Sequence, residues 1–406
     1  MEPKKMVLVV LDGLGDRGNK VFNGRTSLQA AYRPNMNRLA SMGICGLMHP
    51  VAPGIRCGSD TSHLSLLGYD PTKFYSGRGP FEAMGIGVNV QGGDLAFRAN
   101  FSTVDDNGIV VDRRAGRISE NTAPLAKALS FDMDGYKFIV KEGVEHRGAL
   151  VVRGPNLSDR ITDSDPHDSG RRVRDIEPLE AGAENTAYLL NRYLKRAREI
   201  LRDHPFNRDR QSRGLLPANA LLIRGPGKAP SLPSFQELHG MKGACIAGIP
   251  MIRGICAMLG MDLINVPGAT GRIDTDYKGK FNALRDNLKR YDFIILNVKA
   301  PDAAGHDGDP VSKKEAIERT DEALGAIMDM TDDLVICITG DHATPCTLGD
   351  HSGDPLPVLF SCKNENRLER RQFDEVSCRK GPLRITSNDV FPYMLQLANR
   401  ADKYGA

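Results

Sequence analysis

Three aspartates and three histidines stand where they can converge on metal ions. Asp12 directly follows the apolar run Met6–Leu11 (MVLVVL), and Asp302 and His306 lie four apart just beyond a second run, Phe293–Val298 (FIILNV). Asp341 and His342 follow a third run, Leu334–Thr339 (LVICIT), with His351 nine residues after His342. A four-residue spacing lets a carboxylate and an imidazole point at one ion from a loop or a first helical turn. Each piece has a plainer reading: Asp302 as a helix cap, His342 as a satisfied buried histidine, His351 as a loop residue bonded to backbone. Together they supply oxygen and nitrogen donors for two divalent ions, Mn2+ or Zn2+ in the first place, with Mg2+ or Co2+ as alternatives.

A two-metal centre activates one oxygen and steadies charge on another. The oxygen to activate is found in Arg56–His63 (RCGSDTSH). Gly58 permits a tight turn before Ser59, Asp60 adds charge, and one helical turn would bring His63 back towards Ser59. Thr61 and Ser62 are rival hydroxyls, and Cys57 is a weaker candidate. An ordinary Gly-Ser-Asp helix cap with an exposed His63 is the plainer reading.

The elements that position these residues follow from pattern. The three apolar runs read as buried strands of a parallel sheet. Pro34 opens a helix through Met42 that Gly43 stops, and Ser312 is expected to cap a helix over Lys313–Met330. Strands alternating with helices predict a doubly wound α/β sheet, which binds ligands beyond the carboxyl ends of its strands. From about Gly85 to Gly225 the character changes to short alternating strands such as Leu95–Phe101 and Gly148–Arg153, with the turn Asp106-Asn107-Gly108 and a long helix at Glu184–Arg202. Further strands at Ala220–Arg224 and Ala244–Ala247 and a helix at Met251–Leu259 resume the first pattern. The expectation is a discontinuous core, 1–85 with 226–406, and an inserted α+β domain, 86–225, with Gly225–Pro233 as the junction.

With 54 basic against 51 acidic residues, a net charge of +3 and 40% hydrophobic residues, the chain has the composition of a globular protein and no nucleic-acid footprint. Eight cysteines without CxxC spacing predict free thiols and a cytoplasmic protein. The N-terminal apolar run ends at Asp12, too short for a signal peptide or a membrane span. Nothing in the composition fixes an oligomeric state.

Six blocks, in order, carry a resemblance: VVLDGLGD at 9–16, GSDTSHLSLLGYDP at 58–71, YSGRGPFEAMG at 75–85, PDAAGH at 301–306, GDHATP at 340–345 and HSGDPLPV at 351–358. The chain resembles the cofactor-independent phosphoglycerate mutases of the alkaline phosphatase superfamily, in their archaeal-type branch. The resemblance implies an alkaline-phosphatase-like α/β core, interconversion of 3-phosphoglycerate and 2-phosphoglycerate, and a phosphoserine formed on Ser59. It implies one metal on Asp302, His306 and His351 and another on Asp12, Asp341, His342 and the serine oxygen. Asp60 and His63 would contact substrate beside the serine. The bacterial branch carries Asn-Ser-Glu-x-Gly-His at the nucleophile; here the block is Gly-Ser-Asp-Thr-Ser-His, with Ser62 in place of the glycine. The insert would hold glycerate, and since a phosphate and a carboxylate need convergent donors, Arg153, His167, Arg224 and Lys228 are its candidates. Arg160, Arg171 and Arg172 are equally defensible. The rival activities are a metal-dependent phosphomonoesterase and a homoserine-kinase-like phosphotransferase, and a non-catalytic metal-stabilised binding protein is the rival of another class.

Overall fold

Strands that are apolar on both faces need cover on both faces, and these lie at the centre of a sheet. The computed structural model describes residues 2–362, 371–403 and 405. In it, Phe293–Val298, Lys5–Leu11 and Leu334–Thr339 are adjacent parallel strands, buried except for Lys5 at the edge of the run. Leu11 lies opposite Val298, and Val10 opposite Thr339, so the three strands end nearly level. Asp12, Lys299 and Asp341 therefore emerge at one edge.

Among the described residues the sheet has eight strands, in the order Asp262–Leu263, Gly243–Ile246, Phe293–Val298, Lys5–Leu11, Leu334–Thr339, Leu356–Ser361, Ile44–His49 and Leu383–Thr386. Leu356–Ser361 alone runs against its neighbours. The mostly parallel α/β core agrees with the fold expected from the sequence.

The Pro34–Met42 and Glu184–Arg202 helices have the expected bounds. The helix expected to start behind Ser312 instead spans Pro310–Leu324, with Asp309 as its cap: the Asp309 carboxylate accepts from the Val311 and Ser312 N–H groups, both at 3.0 Å. An aspartate followed by proline at the first helical position outcompetes a serine three residues later. A 3-10 turn, Gly325–Ile327, follows the helix.

Two compact units divide the chain, 1–74 with 233–406 and 75–232. These bounds differ from the expected ones for two local reasons. The Gly79–Gly85 helix packs on strands of the second unit. The strand expected to stop at Arg224 runs on to Lys228, which pairs with Leu95, so Gly225-Pro226-Gly227 is strand and not linker.

The second unit is built on an antiparallel sheet, in the order Val110–Asp112, Leu95–Val104, Arg147–Arg153, Tyr136–Glu142, Asp132–Met133, with Ala220–Lys228 also paired to Leu95–Val104. The Glu184–Arg202 helix buries Leu189, Leu190, Tyr193, Ala197 and Leu201. Tyr193 stacks on Phe138 at 4.0 Å between ring centroids, and its hydroxyl donates to the Leu129 carbonyl. Burying an aromatic side chain of this size stabilises by roughly 2–3 kcal/mol.

Candidate active site

Parallel strands that end together present the residues that follow them side by side, and three carboxylates are gathered here this way. Asp12, Asp302 and Asp341 are all buried. Gly13 makes the approach possible: its φ is +64°, its N–H donates to Asp341 Oδ1 at 3.0 Å, and a Cβ there would lie 2.7 Å from the Cα and Cβ of Asp302.

Ser59 opens the Ser59–Leu66 helix behind Gly58, which takes the cap position without a side-chain cap bond. Its Oγ lies 3.0 Å from His342 Nε2 and 3.3 Å from Lys299 Nζ. The rival hydroxyls are turned to other partners. Thr61 Oγ1 donates to the Gly58 carbonyl, and Ser62 Oγ is 2.9 Å from Cys57 Sγ. Asp60 is buried beside the serine, with its carboxylate accepting from the Thr61 N–H.

One helical turn on, His63 is fully buried and not exposed; its Nδ1 is 2.7 Å from the Ser59 carbonyl and its Nε2 3.2 Å from Asn297 Nδ2. Asn297 also donates to Asp12 Oδ2 at 3.1 Å.

His342 has a defined tautomer. Thr344 Oγ1 donates to Asp302 Oδ1 at 2.6 Å, so at 3.1 Å it accepts from the His342 Nδ1–H. The Nε2 lone pair then faces Ser59 Oγ, with Asp341 Oδ2 at 3.3 Å and Asp12 Oδ1 at 3.5 Å. In the same way the His351 Nδ1–H donates to the Cys57 carbonyl at 2.8 Å, and its Nε2 stands 3.6 Å from Asp302 Oδ1. The His342 and His351 rings stack at 3.6 Å. His306, at the edge and more exposed, has Nδ1 3.0 Å from the Gly349 carbonyl and Nε2 3.5 Å from Asp302 Oδ1.

Two sets of side chains bring their ligand atoms within 4.8 Å of one another: Asp302, His342 and His351, and Asp12, His63 and Asp341. His342 touches both. The donor atoms fit divalent ions for a physical reason. Three buried carboxylates face one partly buried ammonium, and Asp341 Oδ2 is buried with no hydrogen-bond partner, an arrangement that calls for further positive charge.

Electrostatics sharpen this picture. Burial, with Asp341 and Asp302 adding to it, pushes the Asp12 carboxyl well up despite Lys299. Burial acts the same way on Asp302, but Lys299 and His342 outweigh it and hold that carboxyl well below its usual range. Burial lowers His342 to about 4, so its ring is neutral near pH 7. Lys299 was not among the sequence candidates. Its ammonium is 2.8 Å from Asp12 Oδ1 and 2.6 Å from Asp302 Oδ2, and these carboxylates keep it charged against burial.

The candidates in the second unit are dispersed. Arg153 is committed to Asp94 by two bonds of 2.9 and 2.8 Å and to the Asn89 carbonyl. His167 is exposed, at φ +68°, with Nε2 3.2 Å from Asp163 Oδ2, and Lys228 is exposed at a strand end. Arg224 is the one in a cluster. Its buried Nε has no partner, and it pairs across the sheet with Arg98. Glu82 alone serves two guanidinium groups here, with Arg78 Nε at 2.8 Å and Arg98 Nε at 3.6 Å. Burial, with Arg78, Arg224 and Arg147 around it, pulls Arg98 down to about 10. Arg78 and Arg98 were not expected. The signal for Arg98 was present as a lone charge inside the alternating run Leu95–Phe101.

The family model for 2,3-bisphosphoglycerate-independent phosphoglycerate mutase matches residues 40–207. An enzyme of that name from Thermoplasma volcanium is 54% identical over 406 residues, covering both chains in full. Another from Picrophilus torridus is 52% identical over 403 residues, covering 99% of this chain and 100% of its own. Among solved structures, the cofactor-independent phosphoglycerate mutase of Thermoplasma acidophilum gives a TM-score of 0.77 at 47% identity, over 97% of this chain and 100% of that one. A Pyrococcus horikoshii protein gives 0.85 at 37% identity, over 100% of both chains. The chain belongs to the 2,3-bisphosphoglycerate-independent phosphoglycerate mutase family of isomerases.

Proposed function

We propose that this protein interconverts 3-phosphoglycerate and 2-phosphoglycerate by way of a phosphoserine on Ser59. The observation that carries the assignment is that Ser59 Oγ alone among the local hydroxyls faces both the Lys299 ammonium and the His342 Nε2 lone pair. In the first half-reaction the Ser59 Oγ–P bond forms as the bond between phosphorus and the substrate oxygen breaks, the serine losing its hydrogen and the departing glycerate oxygen taking up a proton. In the second the other glycerate hydroxyl loses its proton and bonds to phosphorus as the Oγ–P bond breaks and Ser59 regains a hydrogen. Because the His342 Nε2 lone pair is the one that ring would offer to an ion, the group left to orient Ser59 Oγ is the Lys299 ammonium at 3.3 Å. Lys299 places a positive charge beside the phosphoryl oxygens, where charge develops in transfer. His63, engaged at both ring nitrogens, steadies the turn that carries Ser59.

Asp12, Asp302, Asp341, His342 and His351, from the two convergent sets, would hold two divalent ions, with His306, whose Nε2 is 3.5 Å from Asp302, as a further donor; the donor types suit Mn2+ or Zn2+, with Mg2+ or Co2+ as alternatives. Such ions make the serine hydroxyl more acidic and neutralise phosphoryl charge. Arg78, Arg98 and Arg224 supply the donors that the substrate carboxylate needs, which gives the second unit its role of holding glycerate. Arg153 is spent on Asp94, and His167 and Lys228 are left as secondary contacts. Among the described residues no helix is long and apolar enough to cross a membrane, and all eight cysteines are free and buried. The thiols support a cytoplasmic setting.

The test is a coupled assay of 3-phosphoglycerate conversion on chelator-stripped protein without 2,3-bisphosphoglycerate, following released phosphate in parallel. The proposal expects 2-phosphoglycerate when Mn2+ or Zn2+ is restored, with little free phosphate. Phosphate alone would replace it with a phosphomonoesterase. Nucleotide-dependent phosphorylation of homoserine without mutase turnover would replace it with a kinase.

A further inference from the structure

The exposed side of the Glu184–Arg202 helix contributes to a second cationic feature, unrelated to the Arg78, Arg98 and Arg224 cluster. A cleft of about 470 Å³ is lined by Arg192, Lys195 and Arg198 from this helix and by Arg172 and Arg174 from the loop that faces it. Asp106 and Asp175 are its acidic members, which leaves a net charge of +3 in one cleft, as large as that of the whole chain.

A solvated helix face would spread its cations or pair them, and the same helix does so outside the cleft. Arg196 pairs with Glu199 at 2.9 Å, and Arg202 with Asp203 at 3.5 Å. Inside the cleft, Arg172, Arg174 and Lys195 form no ion pair among the described residues, although two carboxylates line the same space. Arg198 is held in place by donating to the Asp105 carbonyl. Arg192 reaches out to Asp134 at 2.6 Å and lies over the ring of Tyr188, an exposed residue that also lines the cleft. Cations brought together from two elements and left unpaired repel one another unless an anion joins them. The cleft has the volume of a small-molecule site, and its donors come from two sides, the helix and the loop.

We propose that this cleft binds a small organic bisphosphate, whose two phosphates engage the guanidinium and ammonium groups at either side while its carbon frame lies against Tyr188. Guanidinium groups suit phosphate by forming paired hydrogen bonds. The site is independent of the one containing Ser59, and Arg172, a sequence candidate for substrate, belongs to it.

The test is titration calorimetry on the full-length, Mn2+-loaded protein with fructose 1,6-bisphosphate as probe, in saturating 3-phosphoglycerate so that the Ser59 site is filled. The expected result is one site whose affinity falls at least about 10-fold in the Arg174→Gln/Lys195→Gln variant and falls again as salt is raised, with mutase turnover unchanged in the variant. Absence of binding at millimolar probe, or equal affinity in the variant, would overturn the proposal. Tighter binding of a single-stranded RNA oligomer than of the bisphosphate would do so as well, making the cleft a nucleic-acid surface.

Discussion

The two units solve two problems of charge in opposite ways. In the core unit, three carboxylates, three imidazoles and one lysine are held at the level ends of parallel strands, each within 4 Å of another member. In the second unit, arginines from strands and a neighbouring turn share one glutamate, and one guanidinium nitrogen is left without a partner. Making and breaking a bond to phosphorus demands fixed geometry, which strand ends provide. Holding a carboxylate by charge demands only several cations nearby, and these can come from many positions.

If this contrast is right, the core should fail on single substitutions and the second unit should degrade by degrees. Ser59→Ala is expected to reduce turnover by at least ~10⁴-fold while both metals remain bound by elemental measurement, since no neighbouring hydroxyl faces Lys299. Retained activity would remove Ser59 as nucleophile. Lys299→Met is expected to lower kcat by about 10²–10³-fold, with partial recovery in Lys299→Arg, the loss typical of one removed charge-stabilising donor. An unchanged kcat would make Lys299 a structural ion-pair residue.

Arg98→Met and Arg224→Met should each raise KM by roughly 10–100-fold with a smaller change in kcat, because the other arginines keep part of the hold. A loss as complete as that of Ser59→Ala would erase the contrast between the units.

The smallest effect lies outside both sites. Glu375 is buried, with Oε2 accepting from Thr26 Oγ1 at 2.8 Å and Oε1 unpartnered, and burial raises its carboxyl from 4.5 to about 7. Between those two values the unfolded chain binds fewer protons than the folded one at this group, so its contribution is full below about pH 4.5 and is lost as pH rises through 7. Glu375→Gln removes this slope. It should therefore stabilise the protein at pH 8 by roughly 1–2 kcal/mol and much less at pH 5, as read from urea midpoints.

The legible part of the molecule was the part where chemistry and secondary structure share a short motif. A buried strand that ends in Asp or Gly-Asp-His announces itself by a sudden change from apolar to ligating residues, so Asp12, Asp341 and His342 could be found and the parallel core foreseen. The turn spacing from Ser59 to His63 was legible for the same reason, although whether His63 is a ligand or a support depends on Asn297, which arrives from a distant strand. Lys299 was not legible. A lysine one residue past a strand is commonly solvated, and only the packing of Asp12 and Asp302 around it shows that it points inward. Nor could pattern choose among the arginines of the second unit, since the alternation that marks a strand does not say which face is covered. Gly225-Pro226-Gly227 had the composition of a linker, and the pairing of Gly227 with Ala96 and of Lys228 with Leu95 comes from a long-range partner that local composition cannot reveal.

The position of Lys5–Leu11 has a consequence for biosynthesis. It precedes every other described strand, yet both of its neighbours, Phe293–Val298 and Leu334–Thr339, follow it only after a long stretch of chain. On the ribosome this apolar segment has neither of its sheet neighbours until residues 293–298 have been made, and the whole of 75–232 emerges in the interval. Pairings of such long range carry the largest closure entropy and form slowly. Asp12 therefore meets Asp302 and Asp341 only after the inserted unit has been made, and until then the waiting MVLVVL segment is an exposed apolar strand of the kind that chaperones cover.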